Sequence, residues 1–233
     1  MSRAVVLQHI SCEPPGIYET VLDEHEIDII RVELDEGEPL PDWRDADLVV
    51  AMGGPMSVND EAAHAWLAEE KEWIAAAAKA GVPYFGVCLG AQLLASSLGG
   101  RVSAGGSPEV GVLPVTLTPE GLADPVMSAL GPRFPALQWH GDTFDLPEEA
   151  VHLGRSQAYD KQAFRVGTAY GVQFHLEVTR PMLEEWSAVP AYVSSLDATL
   201  GDGGFGALSR AFDTAHEEMA SSARRLFECW LAQ

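Results

Sequence analysis

The sequence predicts an α/β fold, with an open, mostly parallel, twisted sheet, helices on both faces and a small antiparallel addition. In the first part of the chain, short apolar strand-like runs alternate with helix-like runs, which is typical of a parallel sheet. After Gly99 and Gly100 the strand-like runs become shorter and are interrupted by Pro, Gly and Asp. The length of 233 residues is enough for one large core. We therefore expect residues 1–233 to form a single domain.

The first hundred or so residues supply the parallel part of the predicted sheet. Strands are predicted at residues 4–10, 28–34, 46–52 and 83–87. Helices are predicted between and after them, at residues 17–25, 62–80 and 90–98. Gly81 ends the second of these helices in the manner of a C-cap, and Pro83 follows as a helix breaker.

The rest of the chain supplies the antiparallel addition and the C-terminal helices. Strands are predicted at residues 112–117, 136–139, 150–154, 163–166 and 170–174, and a short helix at 181–187. The glycine-rich segment 197–206 is expected to be a flexible loop. Residues 207–231 are predicted to be a long amphipathic helix, because apolar side chains recur there at three- and four-residue steps.

Charge and composition exclude several classes of function. The formal net charge of −21 predicts that the protein repels phosphate backbones and does not bind nucleic acid. No apolar run approaches the roughly 18 residues that span a bilayer, and no signal peptide is recognisable, so we expect a cytoplasmic protein without a membrane partner. The three cysteines are widely spaced, which argues against disulfides and a zinc site. No phosphate-binding glycine motif is present, which predicts no nucleotide cofactor, and the scattered histidines lack metal-ligand spacing, so no metal is predicted either.

The segment with the strongest chemical signal is G-V-C-L-G at residues 86–90. A strand-like run ends in Cys88, and a helix-like run follows at once, as in the elbow that presents a nucleophile. The flanking glycines leave room for the sharp turn. The N-terminus of the helix favours thiolate over thiol. Cys88 is therefore the predicted nucleophile.

A base for this nucleophile is predicted near the end of a later strand, where His175 is followed two positions on by Glu177. Residues two apart on an extended chain point the same way, so the carboxylate can orient the imidazole and stabilise its charged form. The oxyanion hole is predicted from the N–H of Leu89, the residue after the nucleophile. Gly54, in the loop at the carboxyl end of the third strand, is the predicted second donor.

Together these segments resemble the class I, triad-type, glutamine amidotransferases. The elbow matches that family's G-x-C-x-G-x-Q, with Gln92 in the last position, and residues 53–55 match its oxyanion loop. Residues 174–177 match its F-H-P-E except at Leu176, where the family usually has proline. Residues 139–142 resemble the H-G-D segment of GMP synthases, and the free-standing, GMP-synthase-like amidotransferases look most similar.

The resemblance implies a flavodoxin-like three-layer fold and a pocket for the γ-glutamyl group of a small-molecule substrate, glutamine or a γ-glutamyl compound. The expected pocket residues are Met56, Gln92, Trp139, His140, Gly141 and Asp142. His140 has an alternative interpretation, in which it only orients its own loop.

The chemistry of the site leaves three functions open. The first is a glutamine amidotransferase, which cleaves the γ-carboxamide through a Cys-His-Glu triad and a γ-glutamyl thioester. It would release glutamate and pass ammonia to a separate synthetase subunit. The second is a stand-alone hydrolase of γ-glutamyl peptides or amines. The third is a non-catalytic binding or regulatory module on the same fold, against which the intact Cys, His and Glu argue.

Overall fold

A computed structural model describes residues 2–233, which form one nine-stranded sheet in the order β2-β1-β3-β4-β9-β8-β7-β5-β6. Along this order, the four strand pairs from β2 to β9 are parallel, and the four pairs from β9 to β6 are antiparallel. The strands are β1 Arg3–Gln8, β2 Asp28–Glu33, β3 Leu48–Ala51, β4 Tyr84–Val87, β5 Val102–Leu117, β6 Arg133–Phe144, β7 Val151–Arg155, β8 Ala163–Val166 and β9 Ala169–Val172. The predicted α/β class is therefore confirmed.

Within residues 2–233, seven α-helices cover both faces of this sheet. They are α1 Ile17–Glu24, α2 Trp66–Lys79, α3 Leu89–Ser97, α4 Pro119–Ala123, α5 Arg180–Trp186, α6 Pro190–Leu200 and α7 Gly204–Leu231. Helices α1, α5 and α7 pack into the core on one face, and α2 and α3 into the core on the other. Within residues 2–233 no helix combines the length and the apolar character needed to cross a bilayer.

Helix α7 joins the core through an aromatic cluster. The ring of Phe227 stacks on Tyr18 of α1 at 4.7 Å between centroids, and Trp230 lies 5.3 Å from Phe85 of β4. All four side chains are buried. The apolar stripe that predicted this helix thus faces the sheet, because its burial removes large aromatic surfaces from water.

Several segments differ from the expectations: helices α4 and α6 were not predicted, and β6 is longer than the predicted 136–139. Residues 197–206 are not a loop, since α6 continues to Leu200 and α7 begins at Gly204. Gly201 and Gly203 have φ of 68° and 75°, so these glycines make a tight turn between two helices. Strand β5 begins at Val102 instead of residue 112, because the stretch rich in Gly, Ser and Pro is accommodated by a bulge between Ala104 and Glu109.

The placement of β9 beside β4 brings distant parts of the sequence together. The two strands are parallel, with Val87 paired to Val172. Both therefore end at the same edge of the sheet, where β1 and β3 also end. In open α/β sheets this edge is where ligands bind.

We predict that Gly90→Ala destabilises the fold, although alanine in a helix is ordinarily favoured over glycine by about 1 kcal/mol. A Cβ at this position would collide with the Ala51 carbonyl oxygen and lie 2.7 Å from its carbonyl carbon. We expect a loss of about 2 kcal/mol or more in the free energy of unfolding, measured by urea denaturation. Gly106→Ala is the matched control, since a Cβ there meets nothing within 4 Å. Equal stability of the two variants would contradict the close packing of the elbow.

Candidate active site

Cys88 lies in a strained turn between β4 and α3. Its φ is 52° and its ψ is −105°, a conformation that costs on the order of 1–3 kcal/mol and persists only where the surroundings impose it. The Cys88 N–H donates to the Val172 carbonyl at 2.8 Å, and the Gly90 N–H donates to the Met52 carbonyl at 3.1 Å. These bonds anchor the turn to both neighbouring strands, so the Cys88 side chain is carried out of the sheet at the start of α3.

His175 and Glu177, predicted as base and orienter, form a buried pair. The Nδ1 of His175 lies 2.7 Å from Oε1 of Glu177, and both side chains are about 1% exposed. The other carboxylate oxygen, Oε2, accepts the Leu176 N–H at 3.0 Å. Proline at this position would lack that N–H, so the departure from the family motif adds a hydrogen bond to the carboxylate.

The surroundings of His175 favour its charged form. Burial lowers the pKa of His175, but the Glu177 carboxylate and the nearby Cys88 side chain outweigh it, so the pKa lies well above its ordinary value. Because Nδ1 is engaged by Glu177, Nε2 is the nitrogen left to exchange a proton with Cys88. The ring is also held by Trp186, whose edge-to-face contact has a centroid distance of 4.9 Å.

Within residues 2–233, the N–H groups of the two predicted oxyanion donors, Leu89 and Gly54, have no protein acceptor. Leu89 is the first residue of α3, where a backbone N–H has no partner within the helix. The Gly54 N–H donates to no acceptor within residues 2–233. Gly54 also lines the same cavity as Cys88. Both N–H groups are therefore available to a ligand oxygen without breaking a hydrogen bond inside the protein.

A cavity of 280 Å³ opens beside Cys88. This is slightly below the roughly 300–1,000 Å³ typical of drug-sized ligands, and it suits a small metabolite. All six of the expected pocket residues line it, namely Met56, Gln92, Trp139, His140, Gly141 and Asp142. The wall also includes Pro55 of the predicted oxyanion loop, and further residues that were not among the expected pocket residues: Ser57, Asp60, Pro108, Ala191, Tyr192 and Ser195.

Hydrogen bonds fix several polar groups of the cavity wall. Oδ2 of Asp142 accepts from the Ser57 hydroxyl at 2.9 Å. The Trp139 indole N–H donates to the Ser195 hydroxyl at 2.8 Å. His140 has its Nδ1 3.1 Å from the Asp142 carbonyl and its Nε2 3.3 Å from the Glu109 carboxylate. Both interpretations of His140 thus have structural support, because its ring lines the cavity and is also tied into its own strand.

Gln92 reaches the sulfur through a residue that the sequence did not single out. Its amide N–H donates to Oε1 of Gln173 at 3.0 Å, and the Gln173 amide N–H lies 3.4 Å from the Cys88 sulfur. Both glutamine side chains are buried. The only sequence signal for Gln173 is its position two residues before His175, which puts both side chains on the same side of an extended segment.

A second residue missing from the predictions, Glu13, lies against the pair formed by His175 and Glu177. It is 2% exposed, and a Cβ on Gly53 would collide with its carboxylate. The Tyr192 hydroxyl of α6 donates to this carboxylate. Burial, helped by the Glu177 charge, raises the pKa of Glu13 from 4.5 to about 7. Nothing in the sequence around Glu13 indicates that its side chain lies near His175 and Glu177, because only the fold brings it there.

The remaining cysteines and possible ligands lie elsewhere. Cys12 is buried, and burial together with the neighbouring Glu13 raises the pKa of its thiol to about 12. Cys229 is half-buried on α7, away from the cavity. Across residues 2–233, no three or more His, Cys, Asp and Glu side chains are grouped so that they could hold a metal ion.

Similarity to known proteins agrees with the motifs. The family model described as glutamine amidotransferase class-I matches residues 20–183. The glutamine amidotransferase-like protein YfeJ of Salmonella typhimurium is 32% identical over 187 residues, which cover 78% of this chain and 78% of YfeJ. A glutamine-hydrolysing GMP synthase subunit of Sulfurisphaera tokodaii is 33% identical over 144 residues, covering 60% of this chain and 72% of that relative.

A solved structure extends the similarity to the whole chain. The glutamine amidotransferase of Thermotoga maritima superimposes with a TM-score of 0.89 at 29% identity, covering 100% of this chain and 99% of that protein. The resemblance predicted from the motifs is therefore confirmed at the level of the family.

We predict that Glu13 makes the stability of the fold depend on pH. An acid with a raised pKa binds its proton more tightly in the folded state, so stability falls as pH rises from 4.5 through about 7. This shift corresponds to about 3 kcal/mol. Glu13→Gln keeps an acceptor for Tyr192 and removes the charge, so above pH 7 it should gain about that much over the wild type.

Urea denaturation at pH 5 and pH 8 measures this difference. Glu148→Gln, a change at an exposed glutamate, serves as the control and should follow the wild type at both pH values. If Glu13→Gln and the wild type lost the same stability between the two pH values, Glu13 would titrate as an ordinary surface acid.

Proposed function

Because the chain belongs to the class I glutamine amidotransferases, we propose that it is a cysteine-dependent enzyme that hydrolyses the γ-carboxamide of glutamine. The observation that carries this proposal is the arrangement around Cys88. Cys88 lines a small cavity and lies in a strained turn, and its side chain interacts with an imidazole whose Nδ1 is 2.7 Å from a buried carboxylate. This is the arrangement of nucleophile, base and orienter that acyl transfer requires.

The proposed reaction begins with attack of the Cys88 thiolate on the γ-carboxamide carbon. The N–H groups of Gly54 and Leu89 stabilise the oxyanion that forms, a contribution of about 2.7–4 kcal/mol per donor in other acyl-transfer enzymes. The His175 imidazolium then donates its proton to the departing nitrogen, which leaves as ammonia, and a γ-glutamyl thioester remains on Cys88. Neutral His175 next takes a proton from water, whose oxygen attacks the thioester and releases glutamate.

The charge distribution supports an amino-acid substrate. In this proposal the carboxylate of Asp142, which is fixed by Ser57, binds the α-ammonium group of glutamine. An ion pair at one end of the substrate, with Cys88 attacking the other, would select for the length of the substrate side chain. Met56 and Trp139 supply apolar surface for the methylene groups.

The proposal also includes a partner protein, which receives the ammonia. Residues 2–233 form one sheet with its helices, and this part of the chain holds no second unit that could activate an acceptor. A relative at 33% identity is named as one subunit of a GMP synthase. We propose that ammonia passes from this chain to a separate synthetase subunit.

We predict that Cys88→Ala abolishes glutamate release, because no other group near the cavity can form the thioester. The purified protein is assayed against glutamine, a γ-glutamyl peptide and a γ-glutamyl amine. Cys229→Ala, a change in a half-buried thiol outside the cavity, should keep full activity. If Cys88→Ala, shown to be folded by circular dichroism, retained wild-type turnover, the proposed nucleophile would be wrong.

The same assay separates the functions that the motifs left open. Slow hydrolysis of glutamine that accelerates when a synthetase is added supports the amidotransferase. Rapid hydrolysis of the γ-glutamyl peptide or amine, with glutamine a poor substrate, would support a stand-alone hydrolase instead. Absence of turnover on all three substrates, with no labelling of Cys88 by a chloroketone analogue of glutamine, would support a binding module.

We predict that Glu177→Gln lowers kcat by about 10²–10⁴-fold, because an amide orients the imidazole but does not stabilise its positive charge. The pKa of His175 should fall in this variant, which a shift in the pH profile of kcat/KM would reveal. Glu148→Gln is again the control. A Glu177→Gln enzyme with an unchanged pH profile and turnover would contradict the role of the carboxylate.

A further inference from the structure

A second buried pair of histidine and glutamate lies under the loop that follows β3. His9 follows β1, and its Nε2 is 2.8 Å from Oε1 of Glu70 on α2. Its Nδ1 is 3.2 Å from the carbonyl oxygen of Gly53. The side chains of His9 and Glu70 are both 0% exposed. The triad does not use this pair, although it lies at the same edge of the sheet.

The hydrogen-bond partners of His9 determine which of its ring nitrogens carry hydrogens. A carbonyl oxygen can only accept, so Nδ1 must carry a hydrogen. A carboxylate also only accepts, so Nε2 carries a second hydrogen when Glu70 is ionised. Burial lowers the pKa of His9, but the Glu70 charge, helped by the Gly53 carbonyl and by Glu13, raises it above the ordinary value. With Glu70 ionised, both ring nitrogens of His9 donate, and the positive charge of the ring is paired with the carboxylate.

The carbonyl that His9 contacts belongs to a particular peptide group. The C=O of Gly53 and the N–H of Gly54 are the two ends of one planar peptide unit. That N–H is one of the two donors assigned above to the oxyanion, and it donates to no acceptor within residues 2–233. A hydrogen bond to one end of this unit therefore acts directly on the other end.

We propose that His9, charged through its buried carboxylate partner, orients and polarises the peptide group between Gly53 and Gly54. The inference rests on the proposed function, because it gives that peptide N–H its role in the oxyanion hole. Two effects follow from the contact. A fixed carbonyl direction fixes the N–H direction, and a positive donor on the oxygen strengthens the N–H as a donor, as in cooperative hydrogen-bond chains.

The packing around His9 leaves the ring little freedom to adopt another position. Trp66 of α2 stacks against it with a centroid distance of 5.6 Å and an interplanar angle of 21°. On the loop side, a Cβ at Gly54 would lie 3.1 Å from the Cβ of His9. The loop therefore rests directly on the histidine, and glycine permits the close approach. His9 is a positioning residue, since it reaches the substrate only through the peptide group.

Three variants separate polarisation from orientation. Glu70→Gln keeps the volume and allows neutral His9 to retain its bond to Gly53. In His9→Asn the amide nitrogen takes the place of Nδ1, so the bond to the loop can survive without the charge. In His9→Gln the amide nitrogen takes the place of Nε2, so the contact with Glu70 survives and the bond to the loop is lost.

We predict that kcat for glutamine falls about ten-fold in Glu70→Gln and His9→Asn and about 10²-fold in His9→Gln, which approaches the effect of removing an oxyanion donor outright. KM should not change, because the oxyanion exists only in the transition state. The second readout is alkylation of Cys88 by iodoacetamide, which displaces iodide and forms no oxyanion. Its rate should equal that of the wild type in all three full-length variants, which also shows that the triad is folded.

Controls come from residues beside the pair. His64→Gln changes a histidine that also contacts Trp66, and Glu69→Gln changes an exposed neighbour on α2. Both should keep the wild-type kcat. The inference is overturned if kcat is unchanged in all three test variants, if alkylation falls in parallel with kcat, or if His9→Asn loses as much as His9→Gln.

Failure of the proposed function would look different. A wild-type protein that hydrolysed no γ-glutamyl compound would refute the glutaminase. The ratio of Cys88 labelling rates by a glutamine-analogue chloroketone and by iodoacetamide would still test His9, because only the ketone forms an oxyanion on attack. A ratio that drops in Glu70→Gln supports the inference, and an unchanged ratio overturns it.

Discussion

The site depends on the parallel pairing of β4 with β9, in which Val87 lies opposite Val172. The pairing continues one residue beyond the strand, where the Cys88 N–H donates to the Val172 carbonyl. His175 lies three residues beyond β9, and a pair of backbone hydrogen bonds with Leu137 of β6 holds it there. Strand pairing on both sides therefore holds the strained turn at Cys88 and the backbone of His175 in place.

Buried carboxylates are concentrated beneath this edge of the sheet, and each has an identifiable partner. Glu177 holds His175, Glu70 holds His9, and Glu13 accepts from Tyr192. Unpaired, each of these charges would be expensive to bury, whereas a paired and hydrogen-bonded charge can fix the geometry around it. These buried charges thus lie where oriented imidazoles are useful. Strained and charged groups are often found at functional sites.

The C-terminal helices connect the cavity wall to the core. Helix α6 contributes Ser195, which accepts from Trp139, and Tyr192, which donates to Glu13. Helix α7 then returns along the sheet and buries its aromatic stripe. The interpretation of residues 197–206 as a loop was wrong. Glycines indicate a break in regular structure but not its length, so the sequence did not distinguish a three-residue turn between two helices from a long loop.

Local sequence determined the features that depend on neighbouring residues. The spacing of apolar residues and the positions of Gly and Pro predicted the alternating strands and helices, and the glycines around Cys88 predicted the elbow. The two-residue spacing predicted that His175 and Glu177 would meet. Only the tertiary structure decided that β9 lies beside β4, that Gln173 stands between Gln92 and the sulfur, and that Glu13 and His9 lie under the loop of Gly53. Those contacts join residues far apart in the chain, and no local spacing encodes them, because the order of strands in a sheet arises from burying both faces together.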